Sequence, residues 1–327
     1  MKKYLIFILI ILILFGVFIW QSVFSPVNLS GREVIFSIEK GESSKEISVN
    51  LEKEGLIRWG PAFRAYVYIK GVSKKLQAGT YQFSTKMNIP AIVNKFIEGD
   101  VIKIKVTIPE GFDLKQIKDE LSQSWQRTVL CQFPAEDFKT EFDFLSDVPK
   151  DASLEGFLFP DTYYFLLEAN CDEITRKFLT NFDKKITADL REEIRRQRKT
   201  IFEIITTASL IEKEVKTKED KEIVSGVLWK RLKIGMPLQV DATISYITGK
   251  KTTEISINET KIDSPYNTYK YRGLPAGPIC NPGIESIGAS LYPKDSDYLY
   301  YLSIPDGRTI FSKTLEEHNI AKAKYLW

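Results

Sequence analysis

Residues 4 to 20 carry no charged side chain, and the uncharged run continues through Gln21 and Ser22 to Val27. A helix that crosses a bilayer core needs about 20 mostly apolar residues, so this one segment constrains where the rest of the chain can go. A secretory signal would have a shorter apolar region followed by a small-residue cleavage pattern. Here the run ends in Phe18, Ile19, Trp20 and Gln21 with no A-x-A. The expectation is an uncleaved transmembrane anchor over residues 1–27, with Trp20 at the far interface. Lys2 and Lys3 precede the run, and the positive-inside tendency then leaves the N-terminus in the cytoplasm and the remainder outside it.

The ~300 residues after the anchor suit about two domains. With 27% charged and 43% hydrophobic residues the whole chain has the composition of ordinary globular protein. A net charge of +3 is too small to argue for nucleic acid. The single histidine, His318, excludes a multi-histidine zinc site, and any Ser-His-Asp triad would have to use it. Cys131, Cys171 and Cys280 lack C-x-x-C spacing. Outside the cytoplasm Cys131 and Cys171 could pair, but an odd count and wide spacing leave this open. Neither a metal nor a cofactor is expected.

A repeat follows the anchor. At an offset of 70 residues, Ile38 matches Ile108, Gly41 matches Gly111, Ser43 matches Asp113, Ile47 matches Ile117 and Leu51 matches Leu121. Each copy reads as a strand, a glycine turn and a helix, with Ser43/Glu46 and Asp113/Gln116 at N-cap and N3 spacing. Between the copies lie a helix near Pro61, a strand at "GTYQFS" and a helix opening near Pro90. Residues 28–100 therefore read as a small α+β module, and 101–327 as a larger mixed α+β domain. Residues 126 to 153 show no period and read as an insertion or long loop. The basic run "REEIRRQRK" reads as a solvated helix face.

"TIFEIITTASLIEKEV" opens with Thr200 and Glu203 at capping-box spacing. Ile204, Ala208, Ile211 and Val215 make an apolar stripe. At roughly 100° per residue, Glu212 and Glu214 fall about 80° to either side of it, so they cannot act as a pair. A second helix follows, with Thr217 as its cap and Gly235 as its stop. Downstream, Gln239, Asp241 and Thr243 alternate with apolar residues. Residues 264 to 293 hold Tyr266, Asn267, Thr268, Tyr269 and Tyr271 ahead of a Gly/Pro-rich stretch. That segment reads as too polar and turn-rich for a core, and as an ordered loop displaying amides, hydroxyls and aromatic faces to a sugar.

The motifs "EGFLFPDTY", "ASLIEKE", "LWKRLKIGMPLQVDAT", "YNTYKYRGLPAGPICNPG", "YLYYLS" and "FSKTLEEHN" occur in a fixed order. Together they resemble the MltG/YceG-like endolytic murein transglycosylases, from the anchor to the C-terminus. The resemblance implies an inner-membrane anchor, a LysM-like module and a catalytic domain that cleaves glycan strands of nascent peptidoglycan and ends chain growth, with peptidoglycan synthases as candidate neighbours. It also implies that the second glutamate of "EKE", Glu214, is catalytic, and that Glu212 is structural. Gln239, Asp241, Tyr266, Asn267, Tyr269, Glu155 and Asp161 are the candidates for holding or orienting sugar. The family often has Asp-Pro-Thr where Asp241-Ala242-Thr243 stands, and a histidine where Thr309-Ile310 stands, which puts a role for that histidine in doubt. His318 is expected to pack or cap a terminal helix.

One carboxyl group suffices for a lytic transglycosylase. It protonates the leaving oxygen and then accepts a proton from the muramyl 6-hydroxyl, which attacks its own anomeric carbon. That differs from the two-carboxylate scheme of most glycosidases. The rival readings are a hydrolytic muramidase and a non-catalytic peptidoglycan-binding scaffold.

Overall fold

In the computed structural model, which describes residues 2–29, 31–304 and 306–325, the apolar run is a single helix, α1 (Lys2–Phe24). Side chains 4 to 21 are exposed, and residues Tyr4–Phe24 are long and apolar enough to cross a membrane. The side chains of Lys2 and Lys3, on which the expected orientation rests, lie outside the described set, as do the last two residues of the expected terminal helix.

The chain divides into two compact units, Met1–Ile104 with Tyr164–Ala169, and Lys105–Tyr163 with Asn170–Trp327. In the first, β1 (Glu33–Ile38), α2 (Ser44–Lys53), α3 (Gly60–Ile69), β2 (Gly79–Ser84) and α4 (Ile89–Glu98) follow one another. β1 pairs antiparallel with β2, from Glu33 opposite Ser84 to Ile38 opposite Gly79. Strand alternation sends Val34, Phe36 and Ile38 inward against Tyr81, Phe83 and Phe96. The last turns of α1 join this core: Val23 is buried, and the Phe18 ring lies 5.6 Å from Trp59.

The second unit contains most of β3 (Lys103–Thr107) and then α5 (Leu114–Trp125). β4 (Thr162–Leu166) pairs with β3. Both copies of the repeat close a full capping box, Ser43 with Glu46 and Asp113 with Gln116. Both turn on a left-handed glycine, Gly41 at φ +93° and Gly111 at φ +79°, where a Cβ would be strained. Residues 126 to 153 build two short 3-10 turns around buried Phe133, Phe138 and Phe144, and Cys131 is bonded to Cys171. Arg195 and Arg196 of the basic run are exposed and pair with Glu192 and Glu193.

The rest is mainly helical: α6 (Cys171–Lys185), α7 (Ala188–Arg196), α8 (Ile201–Glu214), α9 (Lys218–Lys233), α10 (Asp241–Thr248), α11 (Ile284–Leu291), the hairpin β5 (Tyr300–Ser303) and β6 (Thr309–Ser312), and α12 (Leu315–Tyr325). α8 starts at the Thr200–Glu203 box, as its sequence requires. It is not amphipathic, since every residue from 204 to 211 is buried, with α9 and α11 packed on it.

One expectation is overturned. Much of the Gly/Pro-rich stretch runs through the core: Gly277, Pro278, Ile279, Cys280, Asn281, Pro282 and Gly283 are all buried. Its backbone is satisfied from outside the segment. The Ile279 N–H donates to Ser209 Oγ (3.0 Å), and the Asn281 N–H donates to Phe112 O (2.8 Å). A polar chain can occupy a core when each of its groups finds such a partner.

Candidate active site

Glu214 is the last residue of α8, because Val215 adopts an extended conformation (φ −142°, ψ 156°) and ends the helix. Thr217 caps α9 at once by accepting from Asp220 N, so the chain turns sharply and leaves Glu214 at the α8–α9 corner. A cavity of about 550 Å³ opens there, with Glu214, Arg231, Asp241, Tyr269, Tyr301 and His318 among its walls.

The opposite wall is built by the chain before α10. Gln239 has a left-handed backbone (φ 53°), unusual for a residue with a Cβ, and its N–H donates to Thr268 O (3.1 Å). The Val240 N–H donates to Thr268 Oγ1 (3.0 Å), and the Thr243 hydroxyl donates to Val240 O (2.7 Å). These bonds hold Asp241 in the first turn of α10, where the Tyr269 hydroxyl donates to its carboxylate. Asn267 holds the same loop from inside. Its Nδ2 donates to Thr260 O (3.0 Å) and Ile262 O (2.7 Å), and its Oδ1 accepts from Tyr269 N (2.9 Å).

Glu214 is half-buried, and burial is the main reason its carboxyl is pushed up to about 7. The Asp241 charge raises it further, while the Tyr301 hydroxyl, the Ala242 N–H and the Arg231 charge oppose. Arg231 is buried, and its guanidinium donates to Leu299 O (2.7 Å) and Leu238 O (2.6 Å). Among the described residues neither Glu214 nor Arg231 forms an ion pair, so Glu214 remains free to exchange a proton. The Tyr300 ring lies over Arg231 (5.1 Å) and beside the His318 imidazole (5.4 Å). Burial and the Lys322 and Arg231 charges hold His318 below its ordinary value.

The remaining candidates lie elsewhere in the same unit. Glu155 is buried, accepting from Leu114 N (3.1 Å), Asn281 Nδ2 (3.0 Å) and the Tyr246 hydroxyl (3.3 Å). Burial pushes it up to about 8. Asp161 is exposed. Desolvation raises it, but bonds from Asn181 (3.1 Å) and Thr162 N (2.8 Å), with Lys185 nearby, outweigh this and lower it. Tyr266 stacks obliquely on Tyr246 (5.0 Å) in the cluster around Leu210 and Ile279. Of the seven sugar-binding candidates, Gln239, Asp241 and Tyr269 line the cavity with Glu214, whereas Tyr266, Asn267, Glu155 and Asp161 do not. Glu212 turns away from the cavity. Its Oε2 accepts from Gly283 N (3.1 Å) and Ser286 Oγ (2.6 Å) and lies 3.5 Å from Lys221 Nζ. Thr309 bonds Asp220 Oδ2 (3.1 Å).

Arg231, Tyr301 and His318 were not among the expected site residues. The only signal for them was that "LWKRLKIG", "YLYYLS" and "TLEEHN" each contain one.

Residues 36–324 match the model of the YceG-like family. A Bacillus subtilis protein named endolytic murein transglycosylase is 35% identical, covering 96% of this chain and 91% of its own. A Streptococcus pneumoniae protein of the same name is 30% identical over 92% of this chain, which spans 60% of that longer protein. A crystal structure described as yceG-like, from Listeria monocytogenes, superposes with a TM-score of 0.61 at 35% identity, covering 90% of this chain and all of that one. A match of this extent is decisive: the chain belongs to the YceG-like family.

Proposed function

We propose that this protein is an endolytic murein lytic transglycosylase, anchored by α1 in the cytoplasmic membrane with both units on the outer side. It cuts the bond between N-acetylmuramyl and N-acetylglucosaminyl units of nascent strands, leaves a 1,6-anhydro end and so stops polymerisation. The first unit acts as a LysM-like strand-binding module, and synthases are its neighbours. The names of its relatives support the reaction class.

The observation that carries the reading is Glu214, a carboxyl held at about 7 on a cavity wall without an ion pair among the described residues. Such a group exists substantially in both protonation states near neutrality, as a shuttling acid–base requires. In its neutral form Glu214 gives its proton to the bridging oxygen as the C1–O bond breaks. The resulting carboxylate takes the proton of the 6-hydroxyl as O6 closes on C1, so no water is consumed and Glu214 ends as it began. Arg231 and the Tyr301 hydroxyl steady the carboxylate between the two transfers. Gln239, Asp241 and Tyr269 contact the strand. Tyr266, Asn267, Glu155 and Asp161 keep the surrounding loops in place.

A hydrolytic reading is favoured by one observation, that Asp241 shares the cavity with Glu214 and could activate water. Mass spectrometry of the new ends separates the two, since an anhydro end lacks the water that hydrolysis adds.

A further inference from the structure

The apolar span of α1 is Tyr4–Phe24, and at ~1.5 Å per residue it rises about 30 Å, the thickness of a bilayer core. Ending the span at Phe18 would leave only about 21 Å of helix for that core, and any tilt would shorten it further. Phe18 therefore lies inside the core, about 9 Å short of Phe24 along the helix axis.

The first unit reaches down to this level. The Phe18 ring lies 5.6 Å from that of Trp59, in the turn between α2 and α3. Ser22 and Val23 are buried, although every side chain from Tyr4 to Gln21 is exposed. Two bonds clamp the same end of the unit to the chain that leaves α1. The Arg58 guanidinium donates to Pro26 O (2.7 Å), and Asn88 Nδ2 donates to Phe24 O (3.1 Å). With α1 in a bilayer, the unit cannot hang free above it, because it displaces lipid from the last turns of the helix.

The side chains brought to this level are those that a membrane boundary favours. Trp59 is half-buried, and its indole N–H has no hydrogen-bond partner among the described residues. An apolar ring with an available N–H settles where hydrocarbon meets headgroups. Arg58 is exposed and forms no ion pair among the described residues. Its acceptor Pro26 lies beyond the end of the span, which sets the guanidinium at the height of the lipid phosphates, a group it matches in geometry and charge.

We propose that the first unit is seated on phospholipid, with its α2–α3 turn in the headgroup layer, Trp59 at the hydrocarbon boundary and Arg58 on lipid phosphate. This rests on the reading of α1 as a membrane span. The unit then works at one fixed height above the core instead of swinging on a tether.

The test uses the full chain with 5-fluorotryptophan in phosphatidylcholine nanodiscs, read by fluorine NMR. Each resonance is assigned by replacing its tryptophan with phenylalanine. Two broadening agents are compared, a lipid with a nitroxide at the fifth acyl carbon and a soluble gadolinium chelate. The nitroxide lipid is expected to erase the Trp59 signal together with that of Trp20, which is exposed on α1, while buried Trp125 keeps its intensity. The gadolinium chelate should leave Trp59 unchanged. Arg58→Glu, which sets a like charge against the phosphates, should open Trp59 to the chelate, and Arg58→Lys should not. Loss of Trp59 intensity to the chelate alone, with Trp20 still broadened by lipid, would overturn the seating. So would a Trp59 that neither agent reaches, since a protein surface would then cover it. An unchanged Trp59 in Arg58→Glu would overturn the phosphate contact. Failure of the span reading is seen separately, as a Trp20 signal that the nitroxide lipid does not broaden.

Discussion

Glu212 and Glu214 stand two residues apart, yet their carboxylates meet different chemistry. Glu212 is tied to the Gly283 amide, the Ser286 hydroxyl and the Lys221 ammonium, which fixes the start of α11 against α8. Glu214 has a cavity in front of it and a like charge, Asp241, among its neighbours. The neutral form must donate first, so activity is expected to fall as pH rises through about 7, the value to which burial and Asp241 push Glu214. Asp241→Asn removes the like charge, and the limb should move to lower pH in a pH–rate profile. A limb that stays in place would mean that Asp241 does not act on Glu214.

At the scale of elements, the close approaches of α8, α9 and the buried loop set the cavity. Ser209 accepts from the Ile279 N–H and itself donates to Thr206 O (2.7 Å). Ser209→Ala strands that buried N–H and should cost about 1–3 kcal/mol in denaturant unfolding. In α9, a Cβ on Gly226 would sit 2.2 Å from the Lys294 carbonyl oxygen. Gly226→Ala should therefore destabilise by roughly 1–3 kcal/mol despite the better helix propensity of alanine. The capping boxes, the repeat and the α8 boundaries were legible in the sequence because their partners lie within a few residues. Burial of the 277–283 stretch was not, because the groups that satisfy it, Ser209 and Phe112, come from distant parts of the chain. Glu155 was a candidate for holding sugar, but its burial was hidden for the same reason: its partners Leu114, Tyr246 and Asn281 are distributed over 168 positions (114 to 281, inclusive). Glu214 was singled out by family resemblance, since periodicity alone showed only that it faces away from Glu212.

Across the whole molecule, the apolar helix α1 belongs to the small α+β unit together with residues 164–169, and the larger unit is mainly helical. The pairing of Cys131 with Cys171, which spacing left open, joins residues 40 positions apart. Replacing both cysteines by serine should lower the unfolding free energy by about 2–4 kcal/mol, measured by urea titration under oxidising conditions. An unchanged midpoint would show that the bond is absent or is offset by strain.

The central claim is that Glu214 alone shuttles the proton in a reaction that consumes no water. Purified full chain and its Glu214→Gln variant, incubated with uncrosslinked glycan strands, test it by mass spectrometry of the new ends. The account predicts 1,6-anhydro ends from the unaltered protein and a loss of about a hundred-fold or more in the variant. Equal activity of the two proteins would contradict the role of Glu214, and water-derived reducing ends would contradict the mechanism.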